Sequence, residues 1–243
     1  MKIIAHRGAS GEYPENSLLA FEKAIEQGAD GIELDAQYHV ASGKFVLLHD
    51  SYLDKTTNGK GDLNRLSLDE LKALDLGHNE KLVTLPQALA AIDGRVFVNI
   101  ELKTVRCSSQ NLQDIIAELN QVLTVAIQEN NFSVSQFVIS SFDHHLLSVC
   151  KQHNKQLSTA ALIAHRPIDY SDFAKKLEVS GINPDIDCIH KCLVDDAHQQ
   201  SLSVWVYTVD RREDIEHCLT IGVDGIFTNF PRRSRDLLNK IPL

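Results

Sequence analysis

Seven side chains in this sequence have types and spacing suited to joint chemistry: the histidines His6 and His49, the carboxylates Glu33, Asp35 and Glu101, and the cations Arg7 and Lys103. Glu33 and Asp35 lie two residues apart, as do Glu101 and Lys103, with Leu34 and Leu102 between them. In an extended strand this spacing sends both polar side chains to one face and the leucine to the other. Two carboxylates about 4 Å apart repel by roughly 4 kcal/mol at an effective dielectric near 20, so three facing one another require a cation. An all-oxygen donor set favours one hard divalent ion, Mg2+ or Ca2+, over zinc. Three carboxylates set against a divalent ion, Arg7 and Lys103 leave a single net positive charge, which would attract a monoanion such as a phosphodiester. Arg7 can bind two phosphate oxygens at once, and Lys103 adds a point charge. His6 and His49, with ordinary pKa values of about 6.5, can then move protons at neutral pH.

These residues must be carried by elements that converge. Short β-branched apolar runs predict strands over 2–6, 31–38, 45–50, 97–102, 137–141, 158–163, 187–190, 204–209 and 225–229. Helical stripes lie between most of them. The clearest runs through Leu112, Ile115, Ile116, Leu119, Val122, Leu123, Ala126 and Ile127, and another opens at Asn16-Ser17 and passes through Leu18, Phe21 and Ile25 to Gly28. Between His39 and Phe45 there are only Val40-Ala41-Ser42-Gly43-Lys44, too few residues for a parallel crossover. The third run therefore predicts an antiparallel hairpin insertion after the second strand, and setting it aside leaves eight βα units. That is the arithmetic of a TIM (β/α)8 barrel, whose functional residues sit at strand C-termini. A doubly wound open sheet is the alternative, disfavoured by the absence of a Gly-x-Gly-x-x-Gly after any strand. With no linker or low-complexity stretch, residues 1–243 are expected to form a single domain.

With 243 residues, 24 Lys+Arg and 33 Asp+Glu, the chain carries a net charge of −9. That balance argues against nucleic acid and against stable association with an anionic membrane. No apolar stretch approaches a membrane span, and the N-terminal run breaks at once into His6-Arg7, unlike a secretory signal. Five scattered cysteines (Cys107, Cys150, Cys188, Cys192, Cys218) without a Cys-x-x-Cys lead to the expectation of a reduced, cytoplasmic protein. Oligomeric state stays open, a homo-oligomer included.

The ordered motifs His6-Arg7-Gly8, Pro14-Glu15-Asn16, Gly28-Ala29-Asp30, Glu33-Leu34-Asp35, His49-Asp50, Thr56-Thr57-x-Gly59, Glu101-Leu102-Lys103 and Gly222-Val223-Asp224-Gly225-Ile226 resemble the glycerophosphodiester phosphodiesterase family from residue 3 to about 231. The resemblance implies a TIM barrel with a hairpin excursion, a bound divalent cation, and hydrolysis of a small-molecule glycerophosphodiester to sn-glycerol 3-phosphate and an alcohol. It implies that Glu33, Asp35 and Glu101 hold the metal, that His6 and His49 are the acid/base pair, and that Arg7 and Lys103 hold the phosphate. Three stretches depart from the family pattern. A Thr-x-Asp after the second strand is His39-Val40-Ala41 here, the late Trp-Thr-Val-Asn reads Tyr207-Thr208-Val209-Asp210, and Thr-Asp before the last proline reads Thr228-Asn229-Phe230-Pro231. Tyr207 can still offer a ring face to glycerol or a leaving group, and Phe142 is a candidate for the pocket wall.

Other residues have plainer readings. Cys188-Ile189-His190-Lys191-Cys192 reads as structural, for want of a fourth ligand. Asp50 is expected to orient its neighbour or the hairpin rather than ligate metal, and Asn16 to cap its helix, with contact to the metal site a compatible second reading. Trp205 is expected to pack, and Arg211-Arg212 and Arg232-Arg233 to be solvated. A metal-dependent sugar-phosphate isomerase or aldolase, a lysophospholipase-D-like enzyme and a non-catalytic binding relative are the competing functions.

Overall fold

A computed structural model of the chain describes residues 1–103 and 109–240. The elements run β1 (Lys2–His6), α1 (Leu18–Glu26), β2 (Gly31–His39), β3 (Lys44–Leu47), α2 (Leu68–Ala73), α3 (Leu85–Ile92), β4 (Phe97–Leu102), α4 (Ser109–Glu129), β5 (Phe137–Ser141), α5 (His144–His153), β6 (Ser158–Ile163), α6 (Asp172–Leu177), β7 (Gly181–Pro184), α7 (Lys191–Gln199), β8 (Ser203–Val206), α8 (Arg212–Thr220), β9 (Gly225–Thr228) and α9 (Pro231–Leu238). The sheet order is β1-β9-β8-β7-β6-β5-β4-β2-β3, and a further β1–β2 pairing closes the cylinder. All pairings are parallel except β2 with β3. The expected barrel of eight parallel strands with a hairpin after the second is therefore the fold.

β2 shows how the hairpin is attached. Gly31–Ala36 pair with β4, whereas Ala36–His39 overhang the rim and pair with β3. Over that overhang Val46, Leu48, Leu53, Leu63, Leu71 and Leu82 form a small apolar cluster separate from the main core. Outward-facing residues such as Ala5, Ile32, Leu34, Val98, Ile100, Ile139 and Ile182 join the helices in that main core. The predicted stripe of α4 is buried at Ile115, Ile116, Leu119, Val122, Leu123 and Ala126.

Inside the cylinder, Ile4, Trp205 and Phe227 pack with Phe97, Val138 and Tyr207, so the lower barrel is filled and Trp205 packs as expected. Gly31 belongs to this layer: a Cβ there would meet the Phe97 ring at 2.4 Å. The two Gly-x-Asp-Gly segments serve as latches. Asp30 donates its N–H to the Ile3 carbonyl and accepts the Ile3 N–H on Oδ2 (2.8 and 2.7 Å), and Asp224 makes the same pair of bonds with Val204 (3.0 and 2.8 Å). Each aspartate thus satisfies the backbone of a neighbouring strand just before its own strand begins.

One strand differs from expectation. The seventh strand is Gly181–Pro184, not 187–190; Ile186–Cys188 form a single 3-10 turn, capped by Asp185, whose Oδ1 accepts the Asp187 N–H at 2.8 Å. Gly-Ile-Asn-Pro reads as a turn because both its ends are residues that strands avoid, while β-branched Ile186 and Ile189 mimic a strand next door. His190, part of the metal-like run, caps α7 by accepting the Cys192 N–H. Among the described residues no helix is long and apolar enough to cross a membrane.

Candidate active site

The site lies at the C-terminal rim, where strand ends release side chains from the ladder. β1 ends in a turn with Arg7 (φ 57°) and Gly8 (φ 82°) in the left-handed region. A Cβ on Gly8 would sit 2.7 Å from the Ala20 backbone, so this approach to α1 needs glycine. The turn aims the Arg7 N–H at Glu33 Oε2, 2.9 Å away. Glu33, Asp35 and Glu101, from adjacent strands β2 and β4, each offer an oxygen so that the three atoms lie within 4.8 Å of one another. Glu33 Oε1 is buried without a hydrogen-bond partner, an orphaned acceptor that a bound cation would satisfy. The donor set therefore fits a hard divalent ion.

The charges show the same demand. Burial, then the charges of Asp35 and Glu101, raises the Glu33 carboxyl well above the usual range; burial and then Asp35 raise Glu101. Burial works against Asp35 as well, but Lys103 and Arg7 outweigh it and hold that carboxyl at about 2. Lys103 Nζ lies 3.0 Å from Asp35 Oδ1 and 2.5 Å from Glu101 Oε1. Arg7 reaches Asp35 Oδ2 through Nε at 3.1 Å and both oxygens of Glu15 through Nη1 at 3.1 Å. Both cations thus already share carboxylates. Glu15 is a fourth acid that the sequence reading missed, and it cancels the single net positive charge expected for the metal-loaded site.

Of the two readings of Asn16, the structure supports contact with the carboxylate site and gives the cap to its neighbour. Ser17 caps α1 by accepting the Ala20 N–H, and Asn16, at φ 57°, instead clamps Asp35. Its Nδ2 donates to Asp35 Oδ2 at 2.9 Å and its Oδ1 accepts the Asp35 N–H at 3.1 Å. Asn16-Ser17 offers two capping residues in a row, and only tertiary contact with β2 decides between them.

The two histidines are held differently. His6 Nδ1 lies 2.8 Å from Asn229 Oδ1, and His6 Nε2 is 4.0 Å from Glu33 Oε2. Burial, followed by the Arg7 charge, pushes His6 down to about 4. His49, just beyond β3, has Nδ1 3.2 Å from Asp50 Oδ1, and Asp50 Oδ2 is 2.9 Å from Lys55 Nζ. Asp50 orients its neighbour, as expected. Burial lowers His49 too, helped by the Lys103 and Arg7 charges.

A cavity of about 250 Å³ opens between them, lined by His6, Arg7, Glu33, His49, Glu101, Phe142 and Tyr207, with Asn99, Ser140, Leu162, Asp185, Thr208 and Phe227. Asp35 and Lys103 are outside this lining but bonded to it. Phe142 and Tyr207 meet edge to face at 5.9 Å. The sequence-predicted residues are therefore brought together, and Asn99, Ser140 and Asp185 join them unforeseen, since each is an ordinary strand or turn residue in sequence. A larger groove of about 840 Å³ on the hairpin side contains Asp50 and Tyr52 but none of the three clustered carboxylates.

The comparisons with known proteins agree with this geometry. Residues 6–233 match the model of the glycerophosphoryl diester phosphodiesterase family. A glycerophosphodiester phosphodiesterase of Caldanaerobacter subterraneus subsp. tengcongensis is 35% identical over 98% of each chain, and one from Bacillus altitudinis is 34% identical over 96% of each. A solved glycerophosphodiester phosphodiesterase from Parabacteroides distasonis superposes with a TM-score of 0.85 at 25% identity, over 98% of this chain and 96% of that one. An Oleispira antarctica phosphodiesterase, solved with its product sn-glycerol-3-phosphate, superposes with a TM-score of 0.88 at 24% identity, over 99% and 97%. With the family's ordered acids, histidines and cations all gathered at one barrel rim, this chain belongs to the glycerophosphoryl diester phosphodiesterase family.

Proposed function

We propose that this chain, acting as one domain, hydrolyses small glycerophosphodiesters to sn-glycerol 3-phosphate and an alcohol, with Glu33, Asp35 and Glu101 holding one Mg2+ or Ca2+ ion. The observation that carries the reading is the trio of carboxylate oxygens within 4.8 Å of one another, two of them, from Glu33 and Glu101, in the wall of a cavity that is also lined by both histidines. The bound ion would polarise a phosphoryl oxygen and offset charge in the transition state. Arg7 and Lys103 are the groups that would bind the phosphate. Phe142 and Tyr207 form a ring-lined wall suited to the carbon skeleton of glycerol or of the alcohol.

His6 is the proton acceptor in this reading. With Nδ1 bonded to an amide oxygen, its ring carries the proton there and keeps the Nε2 lone pair toward the cavity. His49 is the proton donor to the departing alcohol in this reading: burial and the Lys103 and Arg7 charges lower its pKa overall, and the Asp35 and Asp50 carboxylates oppose that fall. The nucleophile is water or the glycerol 2-hydroxyl. A Schiff-base aldolase is disfavoured: Lys103 is buried, yet Asp35 and Glu101 outweigh that burial and raise its pKa, so it stays an ammonium. The four described cysteines are free, in keeping with a reduced, cytoplasmic location.

The test is release of glycerol 3-phosphate from glycerophosphocholine and glycerophosphoethanolamine. The expected result is turnover that chelator abolishes and added divalent cation restores. No release from either substrate in any cation would overturn the proposal.

A further inference from the structure

Two of the departures from the family pattern, Asp210 and Asn229, meet in space. Asn229 Nδ2 donates to Asp210 Oδ2 at 2.6 Å, while Asp210 Oδ1 accepts the Asn229 N–H and the Thr228 hydroxyl, each at 2.8 Å. Arg233, expected to be merely solvated, donates to the Asp210 carbonyl at 2.7 Å. On its other side Asn229 Oδ1 faces His6 Nδ1 and the Ser10 hydroxyl, each at 2.8 Å. Ser10 also lies 2.7 Å from the His6 carbonyl. The sequence has aspartate where the family has asparagine and asparagine where it has aspartate, and the two positions bond to each other.

We infer that Asp210 is a positioning residue that sets the tautomer of His6 through the Asn229 amide. A carboxylate only accepts, so it compels the Asn229 NH2 to point toward it. The amide oxygen must then face His6, Nδ1 must carry the ring proton, and Nε2 keeps the lone pair. The negative charge stands one residue away from the imidazole, so the ring is oriented by a neutral acceptor. An asparagine at 210 reverses the chain of bonds. Its oxygen would stay with the Asn229 N–H and the Thr228 hydroxyl, its NH2 would face the Asn229 side chain, and that amide would turn over. The Asn229 NH2 would then meet His6 Nδ1 and force the proton onto Nε2. Asn229→Asp alone sets two carboxylates against each other. Making both changes together restores a donor opposite every acceptor, with the amide now at 210 and the carboxylate at 229.

This inference rests on the role proposed for His6, so its test has a readout that needs no substrate. In 15N-labelled protein, with His6 assigned by comparison with His6→Gln, the wild type should show Nδ1 protonated and Nε2 bare. Asp210→Asn should move the proton to Nε2 and lower kcat on the order of 100-fold or more with KM changed less than about threefold. The D210N/N229D pair should regain the wild-type 15N pattern and bring kcat to within about tenfold of it. An unchanged tautomer or full kcat in Asp210→Asn would overturn the inference, and so would a double variant no better than the poorer single one. If the single variants fail to fold, the double variant carries the test through its 15N pattern. A wild-type chain inert on glycerophosphodiesters would instead count against the proposed activity and leave the tautomer result standing.

Discussion

His6 and His49 stand on opposite sides of one cavity, yet the molecule supports them by opposite means. His6 closes a barrel strand and is fixed by contacts from the far end of the chain: Asn229, 223 residues away, and behind it Asp210 and Thr228. His49 follows the overhanging β3 and is fixed by its own neighbour Asp50, whose other oxygen meets the mostly exposed Lys55. One imidazole is oriented by a neutral amide just past the end of β9, the other by a carboxylate on a half-exposed excursion. The lesson is that geometry near the barrel is enforced by packing, whereas geometry on the hairpin is enforced by charge. The first should resist salt and the second should not.

That contrast can be broken by experiment. The largest effect is expected from His6→Ala or His49→Ala, each lowering kcat by about 10²–10⁴ with cation affinity nearly unchanged; full turnover in either variant would remove that histidine from the mechanism. Next, Glu33→Gln should raise the cation concentration for half-maximal activity at least about tenfold, with excess cation partly restoring rate, as a titration would show. Asp50→Asn should cost less, about tenfold in kcat, because His49 keeps its place but loses the charge that favours its protonated form. The smallest effect belongs to Lys55→Met, below about threefold and vanishing at high salt, since an exposed ion pair contributes at most about 1 kcal/mol.

Stability offers a separate test. Glu33 and Glu101 have folded pKa values raised above their unfolded ones, so without cation their contribution is present in acid and lost as pH rises through the raised values. Asp35 has the opposite sign, held at about 2, and its contribution fades only below the ordinary aspartate range. His6, pushed down to about 4, and His49, also lowered, act the other way as pH falls through the ordinary histidine range, so the carboxylates are read by difference. Saturating divalent cation should raise Tm, and raise it more near pH 7 than near pH 5, because protons compete with the ion for the carboxylates. Melting curves in chelator and in excess cation decide it.

Much of this was legible in the sequence because the deciding signals are local. Two residues of spacing in Glu33-Leu34-Asp35 set both carboxylates on one face, and the four residues between β2 and β3 are too few for a crossover. The seventh strand was misplaced because Gly181 and Pro184 disguise it and Ile186 and Ile189 imitate it. The supports were missed for another reason. Glu15 on Arg7 and Asn229 on His6 each depend on a partner brought close only when the cylinder shuts. No period or cap residue announces such a meeting. The exchange of Asp210 and Asn229 was visible only as two separate oddities.

The upper half of β2 has a consequence for how such a catalyst can diversify. β3 pairs with Ala36–His39 and, through the Leu47 N–H, with the Val83 carbonyl, and its Phe45 and Leu47 are tied into the main core. The leucine-rich cluster beyond it is a small core of its own, so the excursion from His49 onward can grow, shrink or change its polarity without loosening a stave of the cylinder. Selectivity for the departing alcohol can drift there, while the part that grips phosphorus stays as it is.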